Sequence, residues 1–225
     1  MMRPIFEPQE SDIDCQRPYW DTVAPTKTFT NEIAWPQWRK YVQSDAAILD
    51  VGCGYGRTCA QLADAGYKNL VGVDISSQMI ERGKRERPDL DLKFWDGSTL
   101  PFLDNSFDAV CLIAVLTCIP SDSGQKRLLG EIIRVLKPGG ILFLSDFPLQ
   151  TDDRNRARYD QFAEQYGIYG VFELPEGAIL RHHDPGWFDE LLAPLTPLDR
   201  LTFPWKTMNG HDVWLEQRFC RKIFS

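Results

Sequence analysis

The stretch Ile48-Leu49-Asp50-Val51-Gly52-Cys53-Gly54-Tyr55-Gly56-Arg57 sets three glycines at alternate positions behind a carboxylate. Glycines this closely spaced let a backbone pass where side chains would collide with a ligand or a neighbouring element. An apolar run precedes them and a helical pattern follows, which is the strand–loop–helix turn of an open α/β sheet. A dinucleotide fingerprint needs its third glycine one position beyond Gly56. Asp50 would repel a pyrophosphate but suits a ligand that carries a cation. A second apolar run, 69–75, ends in Asp74, the place from which a doubly wound sheet offers a carboxylate to ribose hydroxyls. Helix capping is the competing role for Asp74, and Ser76 or Ser77 is at hand to do that instead. The adjacent His182 and His183 are candidates for a general base, followed by Tyr169 and Asp146. Neighbours in sequence point apart, so at most one histidine faces a substrate, and a hydrogen-bonded structural role is the competing reading for both.

Composition narrows the function classes. A net charge of −7 in 225 residues opposes a general nucleic-acid binder, which needs a basic face. The most apolar run, 109–119, is too short to span a bilayer, and the acidic start (Glu7, Glu10, Asp12, Asp14) has no signal-like apolar region. The six cysteines form no C-x-x-C pair and no cluster with histidine, so no metal or disulfide framework is expected. A soluble protein in a reducing cytoplasm fits this usage.

The elements that must position these residues follow in order. Residues 1–18 read as a surface arm, and Tyr19 to Tyr41 interleaves aromatic with polar residues. A helix from Asn31 would turn Trp35, Trp38 and Tyr41 inward. Packing on the sheet and a lid over the cleft, with Tyr19, Trp20 and Phe29 as contacts, are both open readings of this segment. Helices are expected over 57–65, 77–87, 125–136 and 152–166, with another opening near Pro185. Arg82, Lys84, Arg85 and Arg87 alternate with Glu81 and Glu86 and read as a solvated face. Strands are expected at 47–51, 69–75, 91–95, 107–113 and 141–144, then at 198–207 and 212–223 around Asn209-Gly210, a hairpin signal. His211 beside that turn reads as surface. In 152–166 and just beyond, Tyr159, Phe162, Tyr166 and Tyr169 recur at helical steps. Their place beyond the fifth strand's carboxyl end makes them a candidate substrate cap.

Four passages occur in order: the glycine loop, Asp74 at the second strand's end, Asp96-Gly97-Ser98-Thr99-Leu100-Pro101-Phe102 with Asn105-Ser106-Phe107-Asp108, and Glu131-Ile132-Ile133-Arg134-Val135-Leu136-Lys137-Pro138-Gly139-Gly140. Together they resemble the class I S-adenosylmethionine-dependent methyltransferases over roughly residues 47–147. The resemblance implies an α/β fold: a doubly wound seven-stranded sheet, mostly parallel with the last strand antiparallel, and helices on both faces. It implies S-adenosylmethionine as cofactor, held by Tyr19, Asp50, Gly52, Cys53, Gly54, Asp74, Ile75, Met79, Asp96, Gly97, Ala114 and Val115. Asp96 would accept from the adenine amino group, and Ala114 and Val115 would line the methionine arm. One domain is expected, divided into an arm or lid (1–45), a cofactor core (46–147), a cap insertion (148–183) and a final helix and hairpin (184–225). The implied reaction is in-line transfer of a methyl group to a small-molecule acceptor. A cofactor-binding protein without transfer, and a protein or RNA acceptor, are the competing readings. A nicotinamide oxidoreductase is opposed by the glycine spacing and the KPGG passage. The oligomeric state is not legible.

Overall fold

Strands β1 (Ala47–Val51), β2 (Asn69–Asp74), β3 (Leu92–Phe94), β4 (Phe107–Ile113) and β5 (Leu136–Asp146) run parallel in the computed structural model, which describes residues 16–208 and 210–223. Helices α1 (Arg17–Val23) and α2 (Trp35–Tyr41) precede them, and α3 (Arg57–Asp64), α4 (Ser77–Glu86) and α5 (Asp122–Val135) serve as crossovers. After β5 come α6 (Asp153–Tyr166), the short pair β6 (Val171–Glu173) and β7 (Ile179–Arg181), α7 (Pro185–Leu192), β8 (Leu195–Lys206) and β9 (Asp212–Lys222). The sheet order is β3-β2-β1-β4-β5-β9-β8, and β9 runs antiparallel to both of its neighbours. This is the doubly wound, seven-stranded sheet that the resemblance implies. The order reverses between β1 and β4, where such sheets open a crevice at their carboxyl ends.

Successive residues of a strand face opposite sides, so each central strand feeds two cores. Leu49, Val110 and Leu142 pack with Leu128 and Ile132 of α5 and Phe188 and Leu191 of α7. Ile48, Ala109 and Phe143 pack on the other face with Trp38 of α2 and Leu62 of α3. Continuous apolar runs, rather than alternation, are what a sheet covered on both faces requires. Trp38 is fully buried edge-on to Tyr67 and Phe143, at 6.0 and 5.9 Å between ring centroids. Its inward direction agrees with the sequence, though α2 begins at Trp35 rather than Asn31.

The structure corrects three expectations. Lys137-Pro138-Gly139-Gly140 does not precede the fifth strand but lies inside it, because β5 already pairs at Leu136 with Phe107 before its register jumps. Lys137 Nζ bonds both oxygens of Asp108 there, at 2.9 and 2.8 Å. Arg82 is not simply solvated: it donates to the carbonyls of Ala24 and Lys27 and lies 3.9 Å from the Tyr55 ring centroid, pinning the N-terminal segment to α4. The hairpin β6–β7 was not anticipated from the sequence. The arm over residues 1–15 and Asn209 of the hairpin turn lie outside the described residues.

Trp38→Ala would leave a cavity between two aromatic rings and should lower stability by about 3–5 kcal/mol. Chemical denaturation checks this, and a loss below about 1 kcal/mol would show that the α2 face is not a packed core.

Candidate active site

The crevice at the carboxyl ends of β1, β2 and β4 is a cavity of about 560 Å³. Asp50, Gly52, Cys53, Gly54, Asp74, Ile75, Met79, Gly97, Ala114 and Val115 all line it. Gly52 and Gly54 hold φ of 71° and 56°, a region that L side chains rarely adopt. A Cβ on Gly52 would lie 2.4 Å from the Val115 side chain, and one on Gly54 would lie 2.8 Å from Phe29. The loop is therefore closed down against the β4 exit and the N-terminal segment, which leaves its backbone as the cavity wall.

Two carboxylates are aimed into this wall. Asp74 accepts from the N–H groups of Gly54 (2.7 Å) and Ser76 (2.8 Å). Ser76, not Asp74, caps α4, by accepting from Met79 N–H. Asp50 accepts only a weak bond, from the Cys59 thiol at 3.5 Å. Neither forms an ion pair among the described residues. Burial pushes Asp50 up to about 7, partly offset by the nearby Arg57, and pushes Asp74 up to about 6 against its N–H bonds. A cationic head beside Asp50 and hydroxyl donors at Asp74 would relieve both, so the donor set fits an aminoacyl nucleoside.

Two expected cofactor residues do not line the cavity. Tyr19 is half-buried beside Lys27, while its neighbour Trp20 lines the wall with Phe29. The Asp96 side chain turns away to bond Ser98 N–H (2.9 Å) and Oγ (2.5 Å), and its carbonyl accepts from Arg17. Trp95 and Gly97 line the cavity in its place.

The candidate bases fare differently. His183 is fully buried off the cavity, its Nε2 accepting from Gln125 Nε2 (2.9 Å) and its Nδ1 facing the Phe147 carbonyl (3.2 Å). Burial, then Arg181, lowers it to about 3, so it is a neutral structural group. Asp146 is also fully buried off the cavity, pushed up to about 7 by burial, and holds the Phe147 and Thr117 N–H groups. Tyr169 is 47% exposed and packs edge-on against Tyr159, outside the cavity. His182 alone lines it. Its Nδ1 lies 2.5 Å from Tyr159 Oη, which itself accepts from Gln150 N–H. Burial, then Arg158, holds His182 well below 6.5, so it is a weak base. His211 is exposed, as expected, and stands at the cavity rim.

The aromatic stripe of α6 is not the wall of the cap. Tyr159 is buried under Phe172 and His182, while Tyr166 bonds Glu173. The wall is instead Arg154, Arg158 and Phe172, with Phe147 after β5. A sequence signal for the arginines existed: neither has an acidic residue three or four positions away on the helix, unlike Arg82 with Glu86. Gln16 ties the N-terminal segment to two later stretches, its Nε2 donating to the carbonyls of Cys118 (2.6 Å) and Ile179 (2.8 Å) while its Oε1 accepts from Ile179 N–H (2.7 Å).

Comparison with known proteins agrees with this geometry. A methyltransferase-domain family model matches residues 49–144, which hold every element from the glycine loop to β5. A crystal structure of an S-adenosylmethionine-dependent methyltransferase from Methanosarcina mazei superposes with a TM-score of 0.81 at 26% identity, over 87% of this chain and all of that one. Over these residues and in its whole fold the chain is similar to S-adenosylmethionine-dependent methyltransferases. A demethylmenaquinone methyltransferase of Renibacterium salmoninarum is 36% identical over 153 residues, 64% of this chain and 63% of that protein. Its counterpart in Paenarthrobacter aurescens is 35% identical over 138 residues, 57% of this chain and 53% of that protein. The chain thus spans less than two thirds of the length of these curated relatives. No helix among the described residues is long and apolar enough to cross a membrane. Nor does any group of three His, Cys, Asp or Glu among them stand ready to hold a metal ion.

Because Asp50 titrates near 7 in the folded chain and near 3.8 when free, folding favours its protonated form. Its contribution to stability is complete below about 3.8 and is lost as pH rises through about 7. Asp50→Asn removes that loss. In the absence of ligand, the stability difference should move in the variant's favour between pH 4 and pH 8 (roughly the ends of that window). Melting curves across this range test it, and a pH-independent difference would mean that Asp50 is ionised throughout.

Proposed function

We propose that the chain transfers a methyl group from S-adenosylmethionine to a small-molecule acceptor. The observation that carries this is Asp74, fixed by two N–H bonds at the end of β2 and opening onto the same cavity as the glycine loop. When bound, the cofactor supplies a methyl carbon on a cationic sulfur, an electrophile that leaves a neutral thioether behind. The residues of the chain then have four tasks. Asp74 accepts from the ribose hydroxyls, and Asp50 with the Gly52–Gly54 backbone receives the amino-acid head. Ile75, Met79 and Trp95 offer an apolar wall for the base, with Gly97 letting the backbone approach. Ala114 and Val115 flank the methyl side, and Trp20 and Phe29 form a lid that keeps water out. Residues 148–183 act as a cap that shapes the acceptor space.

Rate enhancement in such a site comes from alignment of two reactants and exclusion of water, and asks little of acid–base groups. This accords with the buried, weakly basic His182 and with the absence of His183, Asp146 and Tyr169 from the cavity wall. With the cofactor held by Asp50, Asp74 and the glycine loop, residues 148–183 would place an acceptor's nucleophile in line with the methyl group it supplies. Any proton on the nucleophile leaves to solvent. The acidic surface and the largely apolar cavity favour a small acceptor over RNA or a protein tail. The relatives named for demethylmenaquinone support the same size class.

Calorimetric titration should show micromolar-range binding of S-adenosylmethionine and S-adenosylhomocysteine, and none of NAD. Asp74→Ala should weaken that binding by about 1–3 kcal/mol. Unchanged affinity in a folded Asp74→Ala protein would refute the ribose assignment, and NAD binding alone would overturn the reading. Binding without turnover across a broad acceptor panel would favour a cofactor-binding protein instead.

A further inference from the structure

The acceptor end of the cavity has a charge pattern that the cofactor does not explain. Arg154 and Arg158 lie one turn apart on α6 and both line the cavity, yet neither forms an ion pair among the described residues. Arg158 is half-buried, its guanidinium carbon 3.5 Å from the Phe172 ring centroid, and its Nε is buried without a hydrogen-bond partner. Burial lowers Arg158 to about 10 although the Tyr159 hydroxyl and Asp152 favour its charge, so an anion at the guanidinium would relieve the cost of that burial. The carboxylates nearby are already engaged. Glu173 accepts from Gln165 and Tyr166, Glu176 pairs with Lys27 at 3.6 Å, and Asp152 caps α6 through Asn155 N–H.

His182 adds a second donor to the same wall. Tyr159 Oη accepts from Gln150 N–H, and the only acceptor in reach of its own proton is His182 Nδ1. With Nδ1 accepting, a neutral imidazole carries its proton on Nε2, the nitrogen with no protein partner among the described residues. The ring thus presents an N–H to the cavity.

These groups stand away from the cofactor's amino-acid head. His182 stacks on Phe147, directly after β5, at 5.6 Å between centroids, whereas Asp50 ends β1, two strands away. Two strand spacings amount to about 9–10 Å. Apolar surface from Phe147, Phe172, Leu180 and Val213 flanks the donors.

We propose that the methyl acceptor is an apolar or aromatic molecule bearing a carboxylate, received by Arg158 and the His182 Nε2–H with Arg154 beside them. The planar guanidinium fork matches a carboxylate bidentately, and the Phe172 ring holds that fork in one plane. The inference rests on the methyl-transfer reading and names the substrate class for it.

The test is calorimetry on protein saturated with S-adenosylhomocysteine, using benzoate and naphthoate, each beside its primary amide. The acids should bind at least about tenfold more tightly than the amides, the scale of a charged hydrogen bond. Arg158→Met should erase this preference, and Arg158→Lys, which keeps the charge but loses the fork, should reduce it. Both variants should hold S-adenosylhomocysteine as the parent does, which also reports that they fold. Acid and amide binding alike, no binding of either acid to the saturated protein, or a preference that survives both substitutions would overturn the carboxylate assignment while leaving the cofactor reading intact. Failure of S-adenosylhomocysteine itself to bind would overturn both.

Discussion

Two unpaired carboxylates at the ends of adjacent parallel strands set the terms for the rest of the molecule. Asp50 and Asp74 are 3% and 8% exposed, and burial raises both above the ordinary carboxylate range. Desolvating an anion without a counter-ion destabilises the fold, so the surrounding structure has to hold them in place. The covered sheet does this through the cores on its two faces. The glycine loop does it for Asp74 by presenting the Gly54 N–H where a side chain would otherwise stand. The same arrangement that burdens the empty protein is what a cationic, hydroxyl-bearing ligand would relieve, so folding stability and ligand affinity draw on one set of groups.

The two ends of the cavity differ in how they are built. The cofactor end is made from strand termini and a tight loop, positions that the sheet fixes to within its register. The acceptor end is made from an excursion between β5 and α7 that owes its shape to internal contacts: Tyr159 under Phe172, His182 on Phe147, His183 tied to Gln125. Asp50 and Asp74 stand at the first end and Arg154 and Arg158 at the second, within a chain whose net charge is −7. A ligand pair of opposite local charge would be oriented on entry by that polarity.

This difference also explains what the sequence disclosed. The places of Asp50, Asp74 and the glycines on the cavity wall were readable because they follow from where a parallel strand ends, and periodicity locates strand ends well. Ala114 and Val115 followed from the same rule applied to β4. The turn of Asp96 away from the wall was not legible, because an exposed turn lets its side chain satisfy itself on Ser98, a choice that no pattern announces. In the excursion, helical spacing correctly grouped Tyr159, Phe162 and Tyr166 but did not say which side the group faced. The hairpin β6–β7 covers the aromatic side, leaving the arginine side to the cavity. Adjacent histidines did point apart, and only the packing of Phe147 and Gln125 decided which one turned inward.

Gln16 joins the chain's early residues to partners 102 and 163 positions further on. A contact with that separation closes a very long loop, and loop closure costs more entropy the longer the loop. The clasp needs the sheet and the excursion to have brought Cys118 and Ile179 together. Arg82 holds the same segment to α4, so the chain's early residues are fastened at once to the excursion and to a helix of the sheet.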